Sequence, residues 1–120
     1  MPNPVTHFEV LGKDGKKLQE FFSQLFDWSI DANNPMQYGM VSAQDGHGIG
    51  GGIGPAMGPA EGGSGHVTFY VEVEDPQATL DKAVSLGGKV VMAPAEGPGG
   101  PVVALFTDPE GHLIGLAKGM

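Results

Sequence analysis

The chain has 120 residues and a formal net charge of −8, with 14 acidic side chains, six lysines, no arginine and no cysteine. This length fits one domain with its own hydrophobic core, and the lack of cysteine excludes a disulfide framework and thiol chemistry. An acidic chain without arginine disfavours nucleic-acid binding, because proteins of that class present basic faces to phosphate.

The N-terminal sequence MPNPVTHFEV has no basic segment followed by an apolar run, and no stretch of the chain reaches the length of a membrane span. The sequence therefore predicts no signal peptide and no membrane partner. A cytoplasmic location is the expectation that follows.

The first half of the chain predicts a strand, a helix and three short strands. Residues 5–11 (VTHFEVL) alternate between the two faces of a strand. Asp14 is suited to cap a helix over 15–26, where apolar residues recur at helical spacing. The three short strands are predicted over 28–31, 38–43 and 48–54.

The second half predicts the same order of elements. HVTFYVEV at 66–73 alternates like the first strand, and Asp75 followed by Pro76 is typical of a helix start. Gly87 and Gly88 end this second helix, which is predicted over 76–86. Strands are then predicted over 89–94, 102–107 and 112–117.

An internal repeat accounts for this order. One gap-free shift places Asp14 on Asp75 and Gly54 on Gly115, and it also aligns apolar strand positions between the halves. The predicted fold is therefore α+β, with two tandem βαβββ modules. They extend over about 4–54 and about 66–118, and a linker over about 55–65 joins them.

Four features of the sequence resemble the vicinal oxygen chelate superfamily. They are the paired modules, the histidine in the first strand, the FF before LFDW and the closing DPEGHLIGL. This superfamily includes glyoxalase I, extradiol dioxygenases and the fosfomycin- and bleomycin-resistance proteins, and the resemblance covers nearly the whole chain. It implies a single glyoxalase-like domain over 1–120, with a curved, partly open mixed sheet around a cleft. It also implies a homodimer, because members of this superfamily commonly pair.

In metal-dependent members, each module supplies one ligand from its first strand, usually a histidine, and one carboxylate from its last strand. The resemblance places these positions at His7 and Gly54 in the first module, and at Thr68 and Gly115 in the second. One imidazole, one hydroxyl and two glycines lack the donors that a divalent metal needs. The expectation is therefore a cleft with no metal and no other cofactor.

A displaced metal site made of His7, Glu9 and His66 stays open as an alternative, since two imidazoles and a carboxylate form an acceptable ligand set. The other two histidines, His47 and His112, fall in a predicted loop and a predicted turn.

Strand alternation predicts a polar face that lines the cleft. On the first strand His7 and Glu9 share this face, whereas Phe8 and Val10 point towards the helix. Glycines on the last strands are expected to let a ligand approach the backbone, and a tyrosine at the cleft edge could stack on it. The candidate ligand-binding residues are His7, Glu9, Tyr38, His66, Thr68, Tyr70 and Gly115.

Two functions fit these residues. A third interpretation is a domain that serves only in protein assembly. The first function is a metal-free cleft that binds an organic small molecule, as the bleomycin-resistance branch does. The second is a glyoxalase-like lyase or another enzyme that uses a displaced metal or a His/Glu acid–base pair. The sequence assigns no catalytic residue and does not identify the ligand, since one fold hosts many chemistries.

Overall fold

The computed structural model describes residues 2–44, 46–56, 65–96 and 101–119. Its elements follow the predicted order, βαβββ twice, which confirms the α+β class. The elements are β1 (Val5–Gly12), α1 (Gly15–Phe26), β2 (Ile30–Asp31), β3 (Gly39–Val41), β4 (Gly50–Pro55), β5 (Gly65–Val73), α2 (Pro76–Ser85), β6 (Lys89–Glu96), β7 (Val102–Thr107) and β8 (Leu113–Lys118).

The chain forms two compact units. Residues 7–67 make up the first unit, and residues 1–6 with 68–120 make up the second. The N-terminal residues belong with the second unit because Glu72 N–H donates to the carbonyl of Pro4, and the Asn3 amide donates to the carbonyl of Glu72. Most of the predicted linker, residues 57–64, lies outside the described residues. The single-domain organisation stays a prediction.

A mixed sheet of four strands, in the order β2-β3-β4-β1, forms the first unit together with α1. β1 runs parallel to β4, and β3 is antiparallel to both β4 and β2. As predicted, Asp14 caps α1, its carboxylate accepting a hydrogen bond of 3.0 Å from Lys17 N–H. Ile53 of β4 is completely buried, and the Gln19 amide of α1 donates to its carbonyl at 2.7 Å.

The apolar face of α1 is buried less than its sequence pattern predicts. Phe8 of β1 contacts Trp28 at a centroid distance of 5.4 Å, and Trp28 stacks on Phe22 of the helix. Phe21 and Leu25 nevertheless remain more than half exposed. The aromatic side chains near the end of α1 pack largely on one another, so helical periodicity alone overestimates their burial.

The second unit contains α2 and a mixed sheet in the order β5-β8-β7-β6. Asp75 caps α2 by accepting from Ala78 N–H at 3.1 Å, with Pro76 in the first turn, as predicted. The helix ends before Gly87, whose φ of 103° favours glycine. The buried core of this unit consists of Val73, Leu80, Ala104 and Leu116.

The strand register corrects one position of the predicted repeat. In the second unit Tyr70 of β5 pairs with Gly115 of β8. The repeat equivalent of Tyr70 is Glu9, and Glu9 pairs with Gly52 rather than with Gly54. The first unit is two residues shorter than the second between these paired positions. A gap-free shift therefore misplaces the last strand of the first module by two residues.

Candidate ligand-binding site

Four of the predicted ligand-binding side chains meet in the first unit, and we call them the polar cluster: His7, Glu9, Tyr38 and His66. The two Glu9 oxygens take different partners: Oε1 lies 2.6 Å from Nε2 of His66, and Oε2 lies 2.8 Å from the Tyr38 hydroxyl. That hydroxyl also lies 2.8 Å from Nε2 of His7. The cluster is thus one hydrogen-bonded chain from His7 to His66.

The order of donors and acceptors fixes the proton positions in this chain. Tyr38 donates its only hydroxyl hydrogen to Glu9, so the hydroxyl oxygen must accept from Nε2–H of His7. The Glu9 carboxylate likewise accepts from Nε2–H of His66. Each imidazole therefore carries a proton on Nε2.

Burial makes these hydrogen bonds important for stability. Glu9 is only 8% exposed, and a buried carboxylate is tolerated when its oxygens are hydrogen-bonded. The His66 side chain is also only 8% exposed. Nδ1 of His66 is fully buried, and no described residue forms a hydrogen bond with it. Such an atom calls for an explanation, because a buried polar group normally has a partner.

Burial also lowers the pKa of His7 below its ordinary value of 6.5, and the nearby Glu9 carboxylate opposes this shift. A neutral His7 agrees with its role as the Nε2–H donor to Tyr38. The Tyr38 ring lies nearly parallel to the His7 imidazole, and the two ring centroids are 6.2 Å apart.

The lowered pKa of His7 predicts a loss of stability in mild acid. Since the unfolded chain takes up this proton near pH 6.5 and the folded chain only at lower pH, the free energy of unfolding should fall as the pH drops below 6.5. The slope from this one group is at most about 1.4 kcal/mol per pH unit. Denaturant unfolding between pH 5 and 8 should show it, whereas His7→Gln, which keeps an amide donor for Tyr38, should have a flatter profile. Equal profiles for the two proteins would contradict the assignment.

Two residues that the sequence interpretation missed hold Tyr38 in place. Asn34 clamps its backbone, accepting from Tyr38 N–H at 3.0 Å and donating to its carbonyl at 2.7 Å. Gly52 lies beneath the ring, and a methyl group at this position would overlap the hydroxyl end of Tyr38. The Asn34-Pro35 dipeptide signals a turn, but nothing in the glycine-rich segment 50–54 distinguishes Gly52 from the other glycines.

The remaining three predicted site residues lie in the second unit. Thr68 is buried and its hydroxyl donates to the carbonyl of Leu113 at 2.6 Å. Tyr70 is 7% exposed, and its ring covers Gly115 so closely that a methyl group there would lie 2.8 Å from the ring Cγ. We expected Gly115 to open the backbone to a ligand, but on this face it admits the tyrosine ring instead. Ligand binding by these three residues stays a prediction.

His112 and His47 lie where the sequence places them. His112 is in the turn before β8, where its exposed ring bonds the Asp108 carboxylate at 2.9 Å. His47 is an exposed loop residue. Hydrogen bonds from the 108–112 turn lower the pKa of Asp108, those from the backbone of His112 contributing most.

The residues at the implied metal positions do not fit a divalent ion. Within residues 2–44, 46–56, 65–96 and 101–119, no three His, Cys, Asp or Glu side chains are placed so that they could hold a metal. In the displaced alternative, both Glu9 oxygens already accept hydrogen bonds from within the polar cluster. Of the two implied carboxylate positions, Gly115 lies under the Tyr70 ring, and Gly52, which the strand register puts in place of Gly54, lies under the Tyr38 ring.

We therefore predict that the purified protein contains well below one equivalent of zinc, nickel, iron or manganese per chain, because the donor set is incomplete. Elemental analysis of protein prepared without a histidine tag tests this. About one equivalent that is lost in His7→Ala would contradict the prediction and favour the displaced site.

A sequence model of the "Glyoxalase/Bleomycin resistance protein/Dioxygenase superfamily" matches residues 5–116. Two curated relatives, both named "Putative glyoxylase CFP32", come from Mycobacterium bovis and Mycobacterium tuberculosis. Each is 28% identical over 107 residues, which cover 86% of this chain and 41% of the relative. The chain thus spans about two fifths of the length of these relatives.

Solved structures show the same fold at low identity. A hypothetical protein, BH1468 from Bacillus halodurans C-125, has a TM-score of 0.68 at 14% identity, covering 100% of this chain and 96% of its own. A methylmalonyl-CoA epimerase in complex with methylmalonyl-CoA and NH4+ has a TM-score of 0.63 at 16% identity, covering 98% and 95%. A superfamily member from Vibrio splendidus 12B01 has a TM-score of 0.60 at 17% identity, covering 98% and 100%.

Neither helix of the described residues is long and apolar enough to cross a membrane.

Proposed function

Because the chain belongs to the glyoxalase/bleomycin resistance protein/dioxygenase superfamily, we propose that it binds an organic small molecule at the polar cluster and does so without a divalent metal. The observation that supports this is the hydrogen-bonded chain from His7 to His66 around the buried carboxylate of Glu9. Buried, interacting titratable groups concentrate at functional sites, because folding alone gains little from burying them.

A ligand screen by NMR tests this proposal. Mixtures of small organic molecules are added to the protein, and the ring signals of all four histidines are followed. We expect the molecules that bind to move the signals of His7 and His66, while the signals of exposed His47 and His112 serve as internal controls. Tyr38→Phe, which removes the central hydroxyl, should weaken binding. A screen without binders, or binders that move only the control histidines, would contradict the proposal.

An enzyme is the second candidate, and the Glu9–His66 contact favours it. A carboxylate that accepts from Nε2–H orients the imidazole, which is how a histidine general base is held in place. The curated relatives carry a glyoxylase name, and one structural neighbour is an epimerase. Following each bound molecule over hours by NMR separates the candidates. Chemical conversion that stops in His66→Gln would establish an enzyme, whereas unchanged molecules favour a binding protein.

The homodimer and the cytoplasmic location belong to the proposal and stay predictions. Neither nucleic acid nor a membrane is a partner in this proposal.

A further inference from the structure

The loop between β2 and β3 carries Tyr38, and a side chain of α1 holds this loop. Gln37, the residue before Tyr38, has a φ of 53° in the left-handed region, which a residue with a side chain seldom adopts unless its surroundings hold it there. The carbonyl of Gln37 accepts a hydrogen bond of 2.9 Å from Nε2 of Gln19. Tyr38 N–H donates to the Asn34 side chain, so both polar groups of the peptide between Gln37 and Tyr38 have side-chain partners.

The same amide of Gln19 connects the loop to β4. Its nitrogen donates a second hydrogen bond, of 2.7 Å, to the carbonyl of Ile53. An amide nitrogen carries two hydrogens and a carbonyl oxygen can only accept, so the nitrogen end of the side chain must face both oxygens. Ile53 follows Gly52, the glycine that lies beneath the Tyr38 ring. Gln19 therefore joins the loop that carries Tyr38 to the strand on which its ring lies.

The space for this amide depends on Gly39, at the start of β3. A methyl group at Gly39 would lie 2.9 Å from Nε2 of Gln19 and 2.9 Å from the carbonyl oxygen of Ile53. Heavy atoms at that distance from a methyl carbon overlap with it, so a larger residue would disturb the bridge. The sequence thus supplies the donor on α1 and leaves room for it on β3.

We infer that Gln19 is a positioning residue of the polar cluster: it fixes Tyr38 between His7 and Glu9 without belonging to the cluster itself. The inference deepens the proposed function and rests on it where binding is concerned, since a residue of α1 then sets the geometry that a ligand meets. Without the amide, two carbonyls lose a common donor, and the loop can leave its left-handed conformation. The Tyr38 hydroxyl would then lose the hydrogen bonds, both of 2.8 Å, that connect His7 to Glu9.

Gln19→Met tests the inference, because methionine matches glutamine in length but donates no hydrogen bond. The histidine ring signals are followed by NMR over a pH titration of this variant and of the unmodified protein. Since burial lowers the pKa of His7, a displaced Tyr38 admits water to the imidazole, and we expect this pKa to rise towards 6.5 in the variant. Molecules found in the ligand screen should bind about two- to tenfold more weakly, as the loss of one hydrogen bond predicts.

Three controls separate positioning from a general loss of stability. Gln24→Met makes the same exchange at an exposed position of α1 and should leave the pKa of His7 unchanged. Leu18→Ala removes a side chain that lies against β1, so it should destabilise the unit without moving that pKa. In a Tyr38→Ala background, Gln19→Met should change the pKa much less, because the ring that transmits the effect is then absent.

An unchanged pKa of His7 in Gln19→Met, or an equal change in Leu18→Ala, would overturn the inference while leaving the proposed function intact. If Gln19→Met does not fold, hydrogen exchange in the unmodified protein decides. The side-chain amide protons of Gln19 should exchange more slowly than those of exposed Gln24, and equal rates would overturn the inference. An empty ligand screen would overturn the proposed function, whereas the measurements on His7 and Gln19 would still decide the inference.

Discussion

Replacing Glu9 with alanine is expected to lower the free energy of unfolding by about 3–5 kcal/mol, because it removes a buried acceptor of two hydrogen bonds, and each donor that loses its partner costs about 1–3 kcal/mol. The substitution leaves the Tyr38 hydroxyl and Nε2–H of His66 without their common acceptor. It also creates a cavity beside an imidazole that is already buried. Denaturant unfolding monitored through the single tryptophan, Trp28, measures the change.

Two variants make this prediction specific. Glu20→Ala removes an exposed carboxylate of α1 and should change the free energy of unfolding by no more than about 0.5 kcal/mol. Glu9→Gln keeps one oxygen that can accept a hydrogen bond, so it should fall between the two alanine variants. If Glu9→Ala and Glu20→Ala were equally stable, the polar cluster would have no structural importance.

Local patterns of the sequence were sufficient to predict most of the fold. Helix capping depends on a few adjacent residues, which is why Asp14 and Asp75 were found at both helix starts. Strand alternation depends only on the period of two, and it placed His7 and Glu9 on one face and Phe8 on the other. The resemblance to the superfamily is confirmed over almost the whole chain.

The errors arose where distant residues determine the outcome. The glycine-rich end of the first module offers no side chain that fixes an alignment, so the sequence could not reveal that Gly52 and not Gly54 pairs with Glu9. Periodicity in α1 indicated an apolar face but not how much of it other elements cover, and Phe21 remains exposed. The tyrosine above Gly115 depends on strand pairing and rotamer choice, neither of which a glycine in a sequence specifies.

The candidate site was predictable as a set of residue types but not as a network. Histidine and glutamate on alternating strand positions indicated a polar face. That Tyr38 bridges His7 and Glu9 could not be foreseen, because Tyr38 lies in the loop between β2 and β3, whose path the sequence does not determine. Its position depends on Asn34 at the backbone and on the space above Gly52.

Gly52→Ala should therefore displace the Tyr38 ring and disconnect His7 from Glu9. The added methyl group overlaps the hydroxyl end of the ring, so the tyrosine must turn away and lose both hydrogen bonds. Overpacking of this kind costs about 1–3 kcal/mol. We expect a loss of unfolding free energy in that range, together with a changed pKa of His7 in an NMR titration and weaker binding of any molecule found in the screen.

Gly54→Ala is the matched control, since it makes the same change two residues further along β4. A methyl group at Gly54 would lie 3.3 Å from Cα of Tyr38, a contact that small movements relieve, and the ring would stay in place. Combining Gly52→Ala with Tyr38→Ala should remove most of the added cost, because the overlapping ring is then absent. If Gly52→Ala and Gly54→Ala changed the pKa of His7 equally, the position of the Tyr38 ring would not depend on Gly52.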